Sequence, residues 1–321
     1  MRILYLNEVP PLPARAGVRQ RAVHTINALR TLGTVDLAVI ADGHYPEEDL
    51  AASRLTFGSL HVLAPEPGRT SAGLADRWRP WWTGAEALAR VRARAADLVR
   101  SGRYDLLVVR LAWLGRLVDA PRLAPAILDV DDLDWMLHES MADASAWWSP
   151  RRRRSLRLAR ASRIGARAEI LRYGRVLVTC RRDAEAIGHP ATWIAPNVPM
   201  APAGGWCDPA HQPNNGVVLT VGTWSWPPNA DGLRWFLERC WPDLRRARPD
   251  IRLRVAGAPP SGRLGRLCAS APNVEMVGFV DDLRAEYAAA AVCVAPIRFG
   301  AGTKIKLLEA LAHGRATVAC T

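Results

Sequence analysis

Residues 291–320 read AVCVAPIRFGAGTKIKLLEALAHGRATVAC, and this stretch decides the fold. It begins with an apolar run and passes through a glycine-rich turn into a segment with helical periodicity. It ends with a second apolar run, 316–320. An apolar run, a helix and another apolar run are typical of a strand–helix–strand unit with parallel strands. We therefore expect a parallel sheet covered by helices.

The same alternation extends along the whole chain in two series. The predicted strands of the first series are 3–6, 35–40, 60–63, 106–109, 126–130 and 176–179. Those of the second are 217–221, 251–255, 274–277, 291–295 and 317–320. Helical patterns separate the strands, including long ones near 84–100, 133–173, 229–246 and 303–312. Continuous apolar strands between helices indicate sheets that are buried on both faces.

A segment rich in proline and glycine, 195–216, interrupts this alternation. We therefore predict two doubly wound α/β domains, 1–199 and 200–321. The second series ends directly after a strand, whereas such a domain usually covers its last strand with a helix. The C-terminal domain is accordingly expected to be truncated.

The composition is that of a globular protein. The 321 residues are 49% apolar and 23% charged. The longest apolar run has ten residues, 288–297, against the ~18 that cross a bilayer, and no signal peptide is recognised. No two of the six cysteines are closer than 25 residues, so no zinc knuckle is expected. We interpret them as reduced thiols in a cytoplasmic protein.

The net charge of +12 is concentrated in one segment, since residues 151–175 hold ten arginines and one acid. Helical spacing places Ala161, Ile164, Ala168 and Leu171 on one face. The opposite face carries arginines, namely Arg160, Arg163 and Arg167. Such a basic amphipathic helix is compatible with an anionic membrane surface, and an ordinary surface helix is the alternative. Nucleic acid is not expected as a partner, because interleaved aromatic residues and a recognised binding motif are missing.

The glycine-rich turn before residue 303 is the sharpest candidate site. Free amides at a helix start, together with its positive end, bind anions. Of 43 basic residues 41 are arginine, and both lysines, Lys304 and Lys306, lie in this segment. A compact ammonium suits a phosphate oxygen, whereas two solvated lysines are the alternative. We expect the Glu309 carboxylate to point out of the apolar core and to accept hydrogen bonds from the hydroxyls of a ribose. An ordinary surface residue is the alternative.

Two other turns follow predicted strands. The long loop 10–19 contains Gly17 and is either a lip near a ligand or merely a long loop. Gly222 and Thr223 follow the strand 217–221 and give a weak phosphate signal. The next aromatic residues, Trp224 and Trp226, stack on a ligand or belong to the core.

Three acids, Asp129, Asp131 and Asp132, occupy the end of the predicted strand 126–130 and the residues directly after it. Clustered acids at this edge bind a metal, act as a base or hold sugar hydroxyls. Capping of the following helix is an equally good explanation.

Several of these motifs resemble the glycosyltransferase family 4 (group 1), and most closely its polysaccharide-biosynthesis branch. The segment with Pro296, Gly300, Gly302, Lys304, Lys306 and Glu309 is similar to the donor-site signature of that family. Residues 221–231 and 277–282 are similar to two further blocks, and 128–133 resembles its acidic block. The resemblance implies the GT-B fold, with two Rossmann-like domains facing a cleft.

The resemblance also implies a reaction. A sugar would move with retention from a nucleotide sugar to a glycan or lipid-linked acceptor, in the synthesis of a cell-surface polysaccharide, without a metal or other cofactor. From the cysteines and the basic segment Arg151–Arg175 we expect a cytoplasmic location, peripherally at the inner face of the plasma membrane. An inactive or truncated nucleotide-sugar binder, a nucleotide-sugar epimerase and a basic anchoring module are the alternatives.

The family implies roles for individual residues. Asp131 would lie near the reacting sugar, Lys304 at the diphosphate and Glu309 at the ribose. The implied donor-binding residues come from both domains: Gly17, Gly222, Thr223, Gly278, Phe279, Val280, Gly302 and Thr303. Within that set, Gly278 to Val280 would line the base, and the amides of Gly302 and Thr303 would meet the diphosphate.

Overall fold

The computed structural model describes the chain except for residues 15, 41–44, 64–84, 301 and 321, and it describes no side chains for 85–88. The chain forms two compact units. One comprises Met1–Trp135 with Arg157–Asn197, and the other comprises Met136–Leu156 with Val198–Thr321. The domain limits 1–199 and 200–321 stay a prediction.

The first unit is built on a parallel sheet. Its strands are β1 (Arg2–Asn7), β2 (Thr34–Val39), β3 (Leu60–Val62), β4 (Leu106–Arg110), β5 (Ala126–Val130), β6 (Arg175–Val178) and β7 (Thr192–Ile194). In the described part of the chain these seven strands have the order β3-β2-β1-β4-β5-β6-β7. All pairings are parallel, as in the register of Ile3 with Val35 and with Leu106.

Helices connect these strands. They are α1 (Gly17–Arg30), α2 (Glu47–Phe57), α3 (Ala85–Gly102), α4 (Ala112–Val118), α5 (Asp134–Asp143), α6 (Pro150–Ile170) and α7 (Arg181–Ile187). Most of α5 and the start of α6, residues 136–156, belong to the second unit. Apolar residues on the central strands β1 and β4 are fully buried, including Leu4, Leu6 and Val108. Burial of this kind on every central strand is expected when helices cover both faces of a sheet.

The second unit repeats the same plan on a smaller scale. Its strands are β8 (Val217–Val221), β9 (Arg252–Ala256), β10 (Val274–Gly278), β11 (Val292–Ala295) and β12 (Ala316–Ala319). Its helices are α8 (Pro227–Arg239), α9 (Trp241–Ala247), α10 (Gly262–Ser270), α11 (Arg284–Ala289) and α12 (Ile305–Ala312). In its described residues the sheet order is β10-β9-β8-β11-β12, again with parallel pairing throughout.

Core side chains of the second unit form two clusters. Leu253 and Val255 pack with Trp241 of α9 in one cluster. Leu219 and Ala256 pack with Tyr287 of α11 in the other. Val255 and Ala256 are neighbours in β9, so they point to opposite faces of the sheet. Both faces of the sheet are therefore covered.

The predicted α/β class with parallel sheets is confirmed, and each predicted strand is present. The structure adds β7, which sequence reasoning missed because it has only three residues and runs directly into the 195–216 segment. Within the described ranges, no helix has both the length and the apolar character that crossing a bilayer requires.

Two predicted helices were wrong in their extent. The predicted helix 229–246 is two helices, α8 and α9, which Cys240 separates. The region 133–173 contains two helices, α5 and α6, with residues 144–149 between them. Pro150 explains the break, because a proline disfavours helical geometry at the preceding residue and is well suited to a first helical position. Ser149 Oγ also accepts a hydrogen bond from the amide of Arg151 at 3.2 Å.

A close backbone approach joins the turns that follow β8, β9 and β10. The amide of Gly257 donates to the carbonyl of Gly278 at 2.7 Å. The amide of Gly222 donates to the carbonyl of Ala256 at 3.1 Å. Gly257 has a φ of +121°, and a Cβ on it would lie 2.0 Å from the carbonyl oxygen of Gly222. Only glycine fits this position without displacing the backbone.

We predict that Gly257→Ala lowers the free energy of unfolding by about 2–5 kcal/mol, because positive φ and overpacking both add a cost. Urea-induced unfolding measures the change. Gly174→Ala is the matched control, since no atom lies within 4 Å of a Cβ placed there. Equal unfolding midpoints for the two variants would contradict the prediction.

Candidate functional site

The turn between β11 and α12 brings an ammonium group against the backbone. Gly300 and Gly302 have positive φ values, +146° and +67°. Lys304 immediately precedes α12, and its Nζ donates to the carbonyl of Gly302 at 3.2 Å. A Cβ on Gly300 would lie 3.2 Å from the same Nζ, so glycine leaves room for the ammonium. The amide of Gly300 donates to Ser140 Oγ at 3.0 Å, which ties the turn to α5.

Lys306, in the first turn of α12, reaches the turn after β8. Its Nζ donates to Asn229 Oδ1 at 2.9 Å and lies 5.9 Å from the centre of the Trp224 ring. A Cβ on Gly222 would lie 3.1 Å from this Nζ. The two turns are therefore held together by one lysine side chain.

The electrostatic setting of Lys306 favours an anion. Burial and the positive charge of Lys304 lower the pKa of Lys306 to about 8, although the charge of Glu309 acts in the opposite direction. A buried ammonium next to a second ammonium is unfavourable without a counter-charge. An anion bound beside both lysines would relieve that repulsion.

Asn229 fixes the geometry around Lys306. Its Nδ2 donates to the carbonyl of Thr223 at 3.0 Å, while its Oδ1 accepts from Lys306. Thr223 itself is exposed. Of the two tryptophans in this turn, Trp224 is buried in the core and Trp226 is about half exposed. Trp224 is thus the core residue of the two.

Glu309, on α12 like Lys306, contacts a buried tyrosine. Tyr287 Oη donates to Glu309 Oε2 at 3.3 Å. Burial and the nearby carboxylate raise the pKa of Tyr287, so its phenol stays protonated and remains a donor. The Tyr287 ring stacks on His313 at 4.5 Å, and His313 Nδ1 lies 3.1 Å from Cys207 Sγ. The stacked rings hold Tyr287 in place, and its hydroxyl positions the Glu309 carboxylate.

The turn after β10 is open on its outer side. Gly278 has a φ of +84°, and a Cβ there would meet no atom within 4 Å. Phe279 is exposed and Val280 is half-buried. The predicted donor-binding residues of the second unit lie at the end of a strand, on turns that follow its strands or on α12. They are Gly222, Thr223, Gly278, Phe279, Val280, Gly302, Thr303, Lys304 and Glu309.

The remaining predicted residues lie in the first unit. Gly17 is the first residue of α1 and is half-buried. Asp131 directly follows β5, and both of its carboxylate oxygens are engaged. Arg110 forms an ion pair with Oδ2, and Asn197 Nδ2 donates to Oδ1 at 2.9 Å.

Asp131 belongs to a buried network of charged groups. Arg110, at the end of β4, also contacts Glu8 at 3.1 Å. Arg21 of α1 forms an ion pair with the fully buried Asp129 and donates to Asn197 Oδ1 at 2.8 Å. Burial raises the pKa of the Asp129 and Glu8 carboxyls. Arg21 and Arg110 act in the opposite direction on the pKa of Asp129, and Arg110 does so on that of Glu8.

The acidic cluster thus has mainly arginine partners. Asp129 pairs with Arg21 and Asp131 with Arg110, while Asp132 is exposed. Among the described residues no group of three or more His, Cys, Asp or Glu side chains is arranged to hold a metal ion. Sequence reasoning missed the arginine partners. The signal that could have revealed one of them is Arg110, a single charged residue at the end of the apolar strand β4.

We predict that Arg21→Met lowers the free energy of unfolding by about 3–5 kcal/mol, because Asp129 would remain buried without its counter-charge. Arg100→Met is the matched control, since its pair with Asp97 is exposed and such pairs contribute at most about 1 kcal/mol. Urea-induced unfolding compares the two. Similar decreases in the free energy of unfolding of the two variants would show that the buried ion pair contributes no more stability than the exposed one.

A known protein family matches the C-terminal part of the chain. Residues 215–321 match the family described as "Glycosyl transferases group 1". A protein from Klebsiella pneumoniae, described as an uncharacterized 44.6 kDa protein in the cps region, is 31% identical over 105 residues. That alignment covers 30% of this chain and 27% of the Klebsiella protein. The matched part is therefore about a quarter of that relative's length.

Solved structures are similar over nearly the whole chain. Sucrose-phosphate synthase from Thermosynechococcus elongatus has a TM-score of 0.69 at 15% identity, covering 99% of this chain and 81% of its own. The Anabaena protein Alr3699/HepE, solved in complex with UDP-glucose, has a TM-score of 0.63 at 15% identity, with 99% and 80% coverage. At these identities the likeness shows the fold. The chain therefore has a GT-B-type fold, as the resemblance implied, and its segment 215–321 is similar to the group 1 glycosyltransferases.

Proposed function

We propose that the protein is a retaining glycosyltransferase that moves a sugar from a nucleotide sugar to a glycan or lipid-linked acceptor. The proposed setting is the synthesis of a cell-surface polysaccharide. The observation that carries the proposal is the pair of ammonium groups, Lys304 and Lys306, beside Gly222, Gly300 and Gly302. This arrangement places two positive charges beside a glycine-rich turn at the start of a helix, as the binding of a diphosphate requires.

The proposed donor contacts follow from this arrangement. Lys304, Lys306 and the amides of Gly302 and Thr303 would bind the diphosphate, with Gly222 and Thr223 on the facing turn. Glu309 would accept ribose hydroxyls through the carboxylate that Tyr287 positions. The open turn at Gly278, Phe279 and Val280 would border the base. We also keep Gly17 as a proposed phosphate contact.

The donor class has support from a structural neighbour. The Anabaena protein was solved in complex with UDP-glucose. We propose that a nucleotide sugar of this kind is also the donor of the present protein. The cps-region relative supports a role in polysaccharide synthesis in the same way.

The proposed chemistry depends on charge stabilisation. The bond between the anomeric carbon and the diphosphate oxygen breaks, and the leaving diphosphate gains negative charge. Two nearby ammonium groups stabilise this charge more in the transition state than in the ground state. Because Asp131 already accepts hydrogen bonds from Arg110 and Asn197, we give it the role of orienting a hydroxyl. The acceptor hydroxyl attacks the anomeric carbon on the same face, its oxygen forms the new glycosidic bond, and its proton passes to the leaving diphosphate oxygen. This accounts for retention without a covalent enzyme intermediate.

We also propose a cytoplasmic location, peripherally at the inner face of the plasma membrane. The basic segment Arg151–Arg175 supports this part of the proposal.

A thermal-shift titration with UDP, GDP, ADP and CMP tests the donor site first. We predict that one nucleotide raises the melting temperature, because a ligand that binds only the folded state stabilises it. Lys304→Ala and Lys306→Ala are predicted to lose most of this shift. Arg263→Ala, at an exposed position outside the site, is the control. Loss of the shift in the control as well, or no shift with any nucleotide, would count against the site.

Turnover separates the alternatives. The proposal predicts release of the nucleoside diphosphate when an acceptor is added. Nucleotide binding without any release would favour an inactive binder. Conversion of the donor to a second sugar without an acceptor would favour an epimerase.

Nucleotide affinity is predicted to depend on pH through Lys306. Its pKa of about 8 means that the ammonium is charged below this pH and loses its proton as the pH rises through it. Affinity should therefore fall above about pH 8, by up to about tenfold per pH unit. Lys306→Arg keeps its charge and should flatten the profile, which calorimetric titration measures. A profile identical in both proteins would contradict this role.

A further inference from the structure

The outer face of α6 exposes apolar side chains. The buried side of the helix is formed by Ser155, Ala159, Glu169 and Ile170. Ile164 and Leu171 lie on the other side, with relative exposures of 63% and 65%. The apolar stripe visible in the sequence therefore faces solvent rather than the core of the first unit.

The exposed stripe is regular and lies between basic residues. Arg157, Ile164 and Leu171 are spaced by seven residues, or about two helical turns, and so share one line along the helix. Arg160 and Arg167 are exposed and have the same spacing on an adjacent line. Each apolar side chain thus has arginines within one turn of it.

The exposed arginines of this face differ from the neighbouring Arg172 in ion pairing. Arg172 is held by ion pairs with Asp119 and Glu169. No carboxylate of the described residues forms an ion pair with Arg157, Arg160 or Arg167, so their charges are available to an external anion.

We propose that this outer face of α6, defined by Arg157, Arg160, Ile164, Arg167 and Leu171, lies on an anionic lipid bilayer. Ile164 and Leu171 enter the boundary between headgroups and acyl chains, and the arginines contact lipid phosphates. Burial of apolar area together with attraction to anionic lipid is the combination by which interfacial helices bind. A nucleic acid satisfies the arginines but offers no apolar phase to the two aliphatic side chains. The inference deepens the proposed function, since it specifies how an enzyme with a lipid-linked acceptor meets the membrane.

Vesicle sedimentation with the full chain tests the proposal. Phosphatidylcholine vesicles that contain phosphatidylglycerol are compared with pure phosphatidylcholine vesicles, without any nucleotide. We expect binding to the anionic vesicles that weakens with salt. The double variant Arg157→Gln/Arg160→Gln should partition roughly 30-fold more weakly. The double variant Ile164→Ser/Leu171→Ser should lose at least about tenfold at constant charge.

Matched controls come from exposed residues of other elements. Leu32→Ser/Leu55→Ser removes two exposed leucines, and Arg239→Gln/Arg263→Gln removes two exposed arginines. Both controls should keep the binding of the parent protein. Circular dichroism spectra confirm that each variant is folded before its partition is compared.

Three results would overturn the proposal. One is equal binding to neutral and anionic vesicles, or none to either. Another is an equal loss in the control variants. The third is binding to a short RNA duplex that depends on Arg157 and Arg160 but not on Ile164 and Leu171. Because the vesicle assay uses no nucleotide and the thermal-shift assay uses no lipid, failure of either proposal is recognised separately.

Discussion

Every strand pairing in the two sheets is parallel across the described residues, so the strands of each sheet end at one common edge. Backbone hydrogen bonds continue this alignment beyond the strands, through Gly222, Ala256, Gly257 and Gly278. Turns that are far apart in the sequence therefore become neighbours. The position of Lys306 beside the turn after β8 follows from this arrangement, because β11 pairs with β8 and α12 follows β11.

Sequence patterns predicted the sheets well because each strand is a continuous apolar run bounded by polar turns. They also located the glycine-rich turn, since both lysines of the chain lie there. They did not show that Lys306 reaches the turn after β8, because this depends on the space left by Gly222 and on the amide of Asn229. The partners of Asp129 and Asp131 were missed for a similar reason, since Arg21 lies 108 residues from Asp129. Such pairings arise from tertiary packing, and local sequence carries no sign of them.

The orientation of α6 shows another limit of periodicity. The pattern predicted arginines on the face opposite the apolar residues, whereas in the structure Arg160 and Arg167 are exposed on a line adjacent to Ile164 and Leu171. The pattern also does not say which side of the helix packs on the protein. In the structure small residues such as Ala159 face inward, and the larger Ile164 and Leu171 face outward. A helix can pack closely through small side chains, so the larger apolar ones remain available for another contact.

The preference for arginine has a chemical consequence. Lys304 and Lys306 are the only side-chain amines in the sequence, and arginine supplies the other 41 basic residues. Reagents that acylate amines, and enzymes that acetylate lysine, therefore find their side-chain targets only in the turn before α12 and its first residues. At neutral pH the lowered pKa of Lys306 gives it a larger fraction of neutral, nucleophilic amine than an ordinary lysine has. A general lysine label thus becomes a site-specific one in this protein.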